Sequence, residues 1–257
     1  MPENLRHYLD FATQLAYDAG RLTLGYYQTG LRPDFKPDDT PVTVADRKAE
    51  ELIRARIEAT YPKHGILGEE YGDSQPDASY RWIIDPIDGT KAFLRGVPLY
   101  AVLIALEIEG ISEVGAAYFP ALDEMIGAAS RQGCYWNGRP ARVSQARDLS
   151  RATLAYTDVA GFAKHGRQAA FERLAAACYD RRGWSDAYGY ALVATGRVEL
   201  MLDPVVSPWD CGPFPPILRE AGGTFGDWKG HETIYANEAL ATTRDLLPEV
   251  LRIVEGE

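Results

Sequence analysis

Apolar residues at Leu5, Tyr8, Leu9, Ala12, Leu15, Ala16, Ala19 and Leu22 recur at helical spacing, which predicts an amphipathic helix within residues 4–28. Residues 44–60 repeat the pattern with more charge, and Tyr61-Pro62 ends it. The stretch Lys36-Pro37-Asp38-Asp39-Thr40-Pro41 between them reads as a loop or hairpin tip. Then the period changes. Segments 80–85, 99–108, 112–119, 123–129 and 133–143 read as strands, and Asn137-Gly138 marks a tight hairpin. Beyond residue 150 the elements alternate: strand 152–156, helices 168–179 and 186–196, strand 198–203, helix 210–221, strand 223–227 and helix 245–254. No repeat, low-complexity tract or Gly/Ser linker interrupts them. A β-rich first half and an alternating second half predict an α/β chain. The expectation is a single catalytic unit over residues 1–257 with two packed lobes, at about 1–145 and 146–257.

The strand at residue 80 ends unusually. Trp82-Ile83-Ile84 is a buried-strand run that opens into Asp85-Pro86-Ile87-Asp88-Gly89-Thr90. Asp-Pro and Asp-Gly are also ordinary turn pairs, so the motif alone is consistent with a plain turn. Two carboxylates leaving a sheet edge can share a hard cation such as Mg²⁺. A glycine and a threonine just beyond them can offer backbone N–H groups to an anion.

Charge sharpens this choice. With 37 acidic and 27 basic residues the net charge is −10, which argues against nucleic acid as a partner. Such a chain holds a phosphate ester only where a local cation or oriented N–H groups overturn the overall field. Cys134, Cys178 and Cys211 are too scattered for a disulfide framework or a zinc motif, and read as free thiols in a reducing compartment. Met1-Pro2-Glu3-Asn4 has no features of a signal peptide, and the apolar run Val97 to Leu106 is too short to span a bilayer. The expectation is a cytoplasmic protein without a membrane partner.

Three further segments place acids at the edges of apolar elements. Gly68-Glu69-Glu70 follows a short apolar run. Asp46, in Thr40-Pro41-Val42-Thr43-Val44-Ala45-Asp46, falls in the first turn of the second helix, where a favourable helix-dipole contact would also explain it. Asp210, in Ser207-Pro208-Trp209-Asp210, opens the helix that runs toward Ala221-Gly222-Gly223, where capping is the alternative.

GEE (68–70), WIIDPIDGT (82–90) and WD…EAGG (209–223), with TPVTVAD (40–46) upstream, together resemble the inositol monophosphatase superfamily of Mg²⁺-dependent, lithium-sensitive phosphomonoesterases. The resemblance spans nearly the whole chain. It implies a layered α/β/α/β/α sandwich assembled as a homodimer, with two or three Mg²⁺ per active site. Carried over by position, Glu69, Asp85 and the Ile87 carbonyl would hold one metal. Asp85, Asp88 and Asp210 would hold a second, with Asp85 bridging, and a third would sit near Glu69. Asp88, Gly89 and Thr90 would bind phosphate. Thr90 and Asp46, with Glu69, would serve the attacking water. A metal lowers the pKa of its bound water toward neutrality, and a second metal can stabilise the leaving alkoxide. No Ser, Cys or Asp nucleophile with its own base stands out, so in-line attack by water is preferred to a phosphoenzyme.

The leaving group is read from Trp184-Ser185-Asp186-Ala187-Tyr188-Gly189-Tyr190 and Asp203. WxDxYGYALVATGRVELMLDP (184–204), with TKAFLRGVP (90–98), looks most like the histidinol-phosphate phosphatase branch, although Ser185 and Ala187 stand where Gly and Cys are usual. Histidinol phosphate carries an ammonium and an imidazole. Asp186 and Asp203, with Arg182 just upstream, are the candidate substrate residues. Helix capping by Asp186 and a turn at Asp203-Pro204 explain those acids nearly as well. Inositol monophosphate is the rival substrate, and a 3′-phosphonucleotide is less favoured because no basic cluster suits adenine. A catalytically silent, metal-binding regulator is disfavoured, since every acid of the proposed site and Thr90 are present.

Overall fold

The computed structural model describes residues 4–37, 40–184 and 186–256. Asp38 and Asp39 of the expected hairpin tip, and Ser185 of the substrate segment, lie outside the described residues. In chain order the first half contains α1 (Arg6–Leu24), β1 (Asp34–Phe35), β2 (Pro41–Val42), α2 (Val44–Thr60), β3 (Gly65–Gly68), β4 (Gly72–Ser74) and β5 (Tyr80–Asp88). Next come α3 (Thr90–Leu94), β6 (Ala101–Ile108), β7 (Ile111–Phe119), β8 (Glu124–Ala129), β9 (Cys134–Trp136) and β10 (Arg139–Pro140). The second half contains β11 (Thr153–Tyr156), α4 (Val159–Lys164), α5 (Gln168–Ala177), β12 (Asp180–Arg182), α6 (Asp186–Ala194) and β13 (Leu200–Asp203). It closes with α7 (Pro208–Cys211), α8 (Phe214–Ala221), β14 (Gly223–Gly226), β15 (Ala239–Thr243) and α9 (Leu247–Glu255).

Strand alternation builds the layers. In the eight-stranded sheet, ordered β10-β9-β8-β7-β6-β5-β3-β4, Trp82, Ile84, Val102, Ile104, Leu106 and Tyr118 face one way. They meet Leu9, Ala12 and Leu15 of α1 and Ile53 and Ile57 of α2. Ile83, Leu103, Ala105, Ala117 and Ile126, one step out of phase, face the opposite way onto α6, α7 and α8. Both faces are covered, so these strands read as unbroken apolar runs. The five-stranded sheet, ordered β12-β11-β13-β15-β14, repeats the arrangement. Met201 and Ala241 turn inward to the middle helices, while Leu200, Leu202 and Leu240 turn outward to α4, α5 and α9. The result is the expected α/β/α/β/α sandwich.

Three expectations change. Strand β5 does not stop at Asp85 but runs to Asp88 through a bulge: Asp85 pairs with Leu103, and Asp88 with Ala101. Pro86 has no N–H for the ladder, and a bulge is where a sheet tolerates one. The expected helix 210–221 is two helices, α7 and α8, because Pro213, Pro215 and Pro216 fit only a first turn. Segment 133–143 divides into β9 and β10 around Asn137 and Gly138, both at positive φ, as a tight hairpin demands.

Candidate active site

The bulge in β5 sets the geometry of the site. Asp85 is 1% exposed and Asp88 7%, and Asp85 Oδ1 accepts from Ile87 N at 2.9 Å across the bulge. Asp210 arrives on α7 from the other half of the chain. Asp85, Asp88 and Asp210 each present a carboxylate oxygen within 4.8 Å of the others.

Helix-start chemistry fixes two of the acids. Asp210 is the third residue of α7, and its Oδ2 accepts from Ser207 N at 2.7 Å. Asp46 is the third residue of α2, and its Oδ2 accepts from Thr43 N at 2.8 Å and from Thr43 Oγ1 at 2.5 Å. Each carboxylate therefore uses one oxygen in a capping box, and in Asp46 the other oxygen faces Thr90. Capping and a role at the site are not alternatives here.

Thr90 opens α3 directly after Gly89. Its Oγ1 lies 3.1 Å from the Ile87 carbonyl and 3.4 Å from Asp46 Oδ1, so one hydroxyl proton serves two acceptors. Gly89 has φ 76°, a left-handed conformation that favours glycine. A β-carbon there would stand 3.1 Å from Asp186 Oδ2. The start of α6 thus lies against the Gly89–Thr90 turn, and Ala187 N donates to Asp88 Oδ2 at 2.9 Å.

Glu69 stands outside the tight group of three, although its charge raises the pKa of Asp85 and Asp210. It is held by Lys36, whose Nζ lies 2.8 Å from both Glu69 Oε1 and Glu70 Oε1. Burial lowers the Lys36 pKa, but its bonds to Glu69 and Glu70 outweigh that and raise it overall. Burial, with Glu69 nearby, pushes Glu70 up to about 7 despite the Lys36 bond.

The remaining predicted residues separate. Asp203 is buried at the end of β13, accepts from Tyr190 Oη at 2.6 Å, and is pushed up to about 7, mainly by burial. Arg182 lies on the edge strand β12, half exposed, and engages Asp180 at 2.8 Å rather than the acid cluster. Lys36 is an addition that the sequence reading did not make, and Glu70, read there only within the Glu-Glu pair, joins the site through it. A lysine in a Pro/Asp-rich loop carries no local signal, and only the fold brings it over the β3–β4 turn.

Electrostatics tests whether this donor set suits a metal. Burial first, then Glu69, Asp88 and Asp210, hold the Asp85 carboxyl well above its ordinary range. Burial, Asp186 and Asp210 do the same to Asp88, and burial leads in pushing Asp210 up to about 7. Among the described residues no ion pair reaches these three aspartates. Hard oxygen donors, crowded and short of positive charge, fit Mg²⁺ or a similar cation. Asp46 is also raised, by burial, so the whole cleft favours positive charge.

Comparisons with known proteins agree in direction. The sequence model of the inositol monophosphatase family matches residues 4–256. A histidinol-phosphatase from Chlorobaculum parvum is 43% identical over 240 residues, covering 93% of each chain. The structure of extragenic suppressor protein suhB from Bartonella henselae superposes with a TM-score of 0.89 at 30% identity, covering 97% of this chain and 99% of that one. Inositol monophosphatase from Anabaena (Nostoc) sp. PCC 7120 gives a TM-score of 0.88 at 31% identity, covering 98% of this chain and 97% of that one.

Proposed function

The chain belongs to the inositol monophosphatase family and is a phosphoric monoester hydrolase, and from that premise we propose that it uses Mg²⁺ to hydrolyse histidinol phosphate to histidinol and phosphate. The observation that carries the metal requirement is the Asp85–Asp88–Asp210 cluster, three carboxylates with oxygens within 4.8 Å that no ion pair reaches among the described residues. The histidinol-phosphatase relative and the Asp186 carboxylate beside Gly89 support the substrate. Asp186 suits the ammonium of histidinol better than a neutral polyol.

Asp85, Asp88 and Asp210 would hold one Mg²⁺, and Asp85, Glu69 and the Ile87 carbonyl another. Bound there, Mg²⁺ supplies charge that offsets the phosphate dianion, lowers the pKa of the attacking water and stabilises the departing alkoxide. The chain's own groups do the rest. Gly89 and Thr90 carry first-turn N–H groups of α3, which have no partner within that helix and can hold phosphate oxygens. The Thr90 hydroxyl donates to Asp46, which leaves its lone pair to accept from water and orient it for in-line attack. Ala187 N holds Asp88, so the start of α6 ties the phosphate turn to the segment that meets the leaving group. Asp203, bonded to Tyr190 and close enough for the Asp186 charge to act on it, would serve the leaving group.

Because both sheets contribute residues, residues 4–256 work as a single catalytic unit in this reading. The working state would be a cytoplasmic homodimer, and its three buried free thiols suit a reducing compartment. Among the described residues no helix is long and apolar enough to cross a membrane. Phosphate release from histidinol phosphate, inositol 1-phosphate, fructose 1,6-bisphosphate and 3′-phosphoadenosine 5′-phosphate, with and without Mg²⁺, tests the assignment. The highest kcat/KM should fall on histidinol phosphate. A preference for inositol 1-phosphate would reassign the substrate, and release undiminished by chelator would remove the metal.

A further inference from the structure

Glu50 lies one helical turn beyond Asp46 on α2 and is 0% exposed. Its Oε2 accepts from Glu70 N at 2.8 Å, and its Oε1 accepts from Tyr71 N at 3.1 Å and from Arg54 Nε at 2.8 Å. Arg54 also donates to the Gly72 carbonyl. The turn from β3 to β4 is therefore built on one buried carboxylate, and that turn carries Glu69. Gly68 completes the seat. A β-carbon on it would stand 2.1 Å from Glu50 Oε1, so the carboxylate approaches the chain as closely as only glycine allows.

We infer that Glu50 is a positioning residue: it fixes the backbone beneath Glu69 and thereby sets how tightly the Glu69 side of the site holds its metal. This rests on the proposed reading of Glu69 as a ligand. A buried ion pair is poor evidence for a stability role, because apolar residues of similar volume often serve stability as well. Directional bonds are what an apolar replacement cannot supply. Two charge-assisted N–H contacts aim the Glu69–Tyr71 backbone from below, while Lys36 meets the Glu69 and Glu70 side chains from outside.

Mn²⁺ alone, titrated into the full chain by calorimetry, tests the inference on wild type, E69Q, D210N, E50Q and G68A. In E50Q the glutamine offers a single acceptor oxygen, and its amide nitrogen would face an N–H. In G68A the added methyl would displace the Glu50 carboxylate and leave its charge intact. Both variants should lose about 10- to 100-fold in affinity, the scale on which groups that orient a ligand act. The loss should fall on the sites that E69Q weakens, and those weakened by D210N alone should keep wild-type affinity. Wild-type titrations in E50Q and G68A overturn the inference even if their melting midpoints drop. Equal losses at all sites overturn it too, since they mark general destabilisation. If E69Q itself titrates as wild type, the metal reading of Glu69 has failed instead.

Discussion

Asp186 Oδ2 lies 3.1 Å from the position a β-carbon would take on Gly89, so the first acid of α6 packs against the N-cap glycine of α3. Asp186 itself has φ 54°, in the left-handed region that Asp enters more readily than most residues. Its backbone N–H donates to Thr157 Oγ1 at 3.0 Å. If the Gly89–Thr90 turn holds the phosphate, a carboxylate this close to it suits a cationic leaving group. Asp186→Asn should lower kcat/KM for histidinol phosphate by about 10- to 150-fold, the worth of a charge-assisted hydrogen bond. Hydrolysis of glycerol 2-phosphate should barely change. Equal losses on the two esters would assign Asp186 to the fold rather than to recognition.

Asp85 is the most buried of the three clustered aspartates, and it faces Glu69 as well as Asp88 and Asp210. Asp85→Asn keeps its shape and removes its charge. Turnover should nearly vanish, and Mg²⁺ affinity should drop by more than the roughly 10- to 100-fold seen when a mere supporting group is lost. Calorimetry with Mg²⁺ and a saturating-metal rate assay check this. Near-normal activity at high Mg²⁺ would rule out Asp85 as a shared ligand.

How far the sequence reveals this site depends on chain distance. Asp85 and Asp88 are legible as neighbouring acids because they lie three residues apart at one strand end, with the Gly89–Thr90 helix start directly after them. Asp46 and Asp210 are legible as helix-start acids, though one set of residues suggests both capping and chemistry; in the fold Asp46 caps with Oδ2 and meets Thr90 with Oδ1, and Asp210 caps while also joining the acid cluster. Glu50 was not read, although it lies one turn from Asp46, because a glutamate among charged neighbours on a helix looks solvated. Its partners Glu70 and Tyr71 come from twenty residues away. The extension of β5 to Asp88 was hidden for a related reason. A proline ends a strand by local rules, and only pairing with Ala101 and Leu103 of β6 carries the strand past it. Strand β15 was missed because Ala239–Thr243 is short and built of small residues, and it becomes a strand through β13 and β14 on either side.

Thr90 offers a test that separates orientation of water from metal binding. Its hydroxyl is shared between Asp46 and the Ile87 carbonyl. Thr90→Ala should reduce kcat by about 10²-fold or more, the scale of positioned proton transfer, while Mg²⁺ affinity stays within a few-fold of wild type. Thr90→Ser should recover most of the rate. If metal affinity falls as steeply as kcat in the alanine variant, the hydroxyl supports the Ile87 carbonyl rather than the water.

The crowded carboxylates also predict how the metal-free protein responds to pH. Asp210 is pushed from 3.8 up to about 7, first by burial, and Asp85 and Asp88 shift in the same direction. A raised carboxyl pKa means the folded chain binds more protons than the unfolded one between those two values. Stability is therefore full below about pH 4, where both states are protonated, and declines as pH rises toward 7. In chelator, the melting midpoint should fall by several degrees from pH 5 to pH 8, given about 2–4 °C per kcal/mol for a chain of this size. Glu70 and Asp203, each raised to about 7, add to the decline with the same sign. Saturating Mg²⁺ should reverse the trend, because a cation binds the ionised carboxylates and binds them better as pH rises. The decline in chelator should be shallower in Asp85→Asn, which removes one of the repelling charges, and Mg²⁺ should do less to reverse it because a ligand is lost. A midpoint in chelator that is flat from pH 5 to pH 8 would mean the three aspartates ionise freely without a metal, and the charge argument for the site would fail with it.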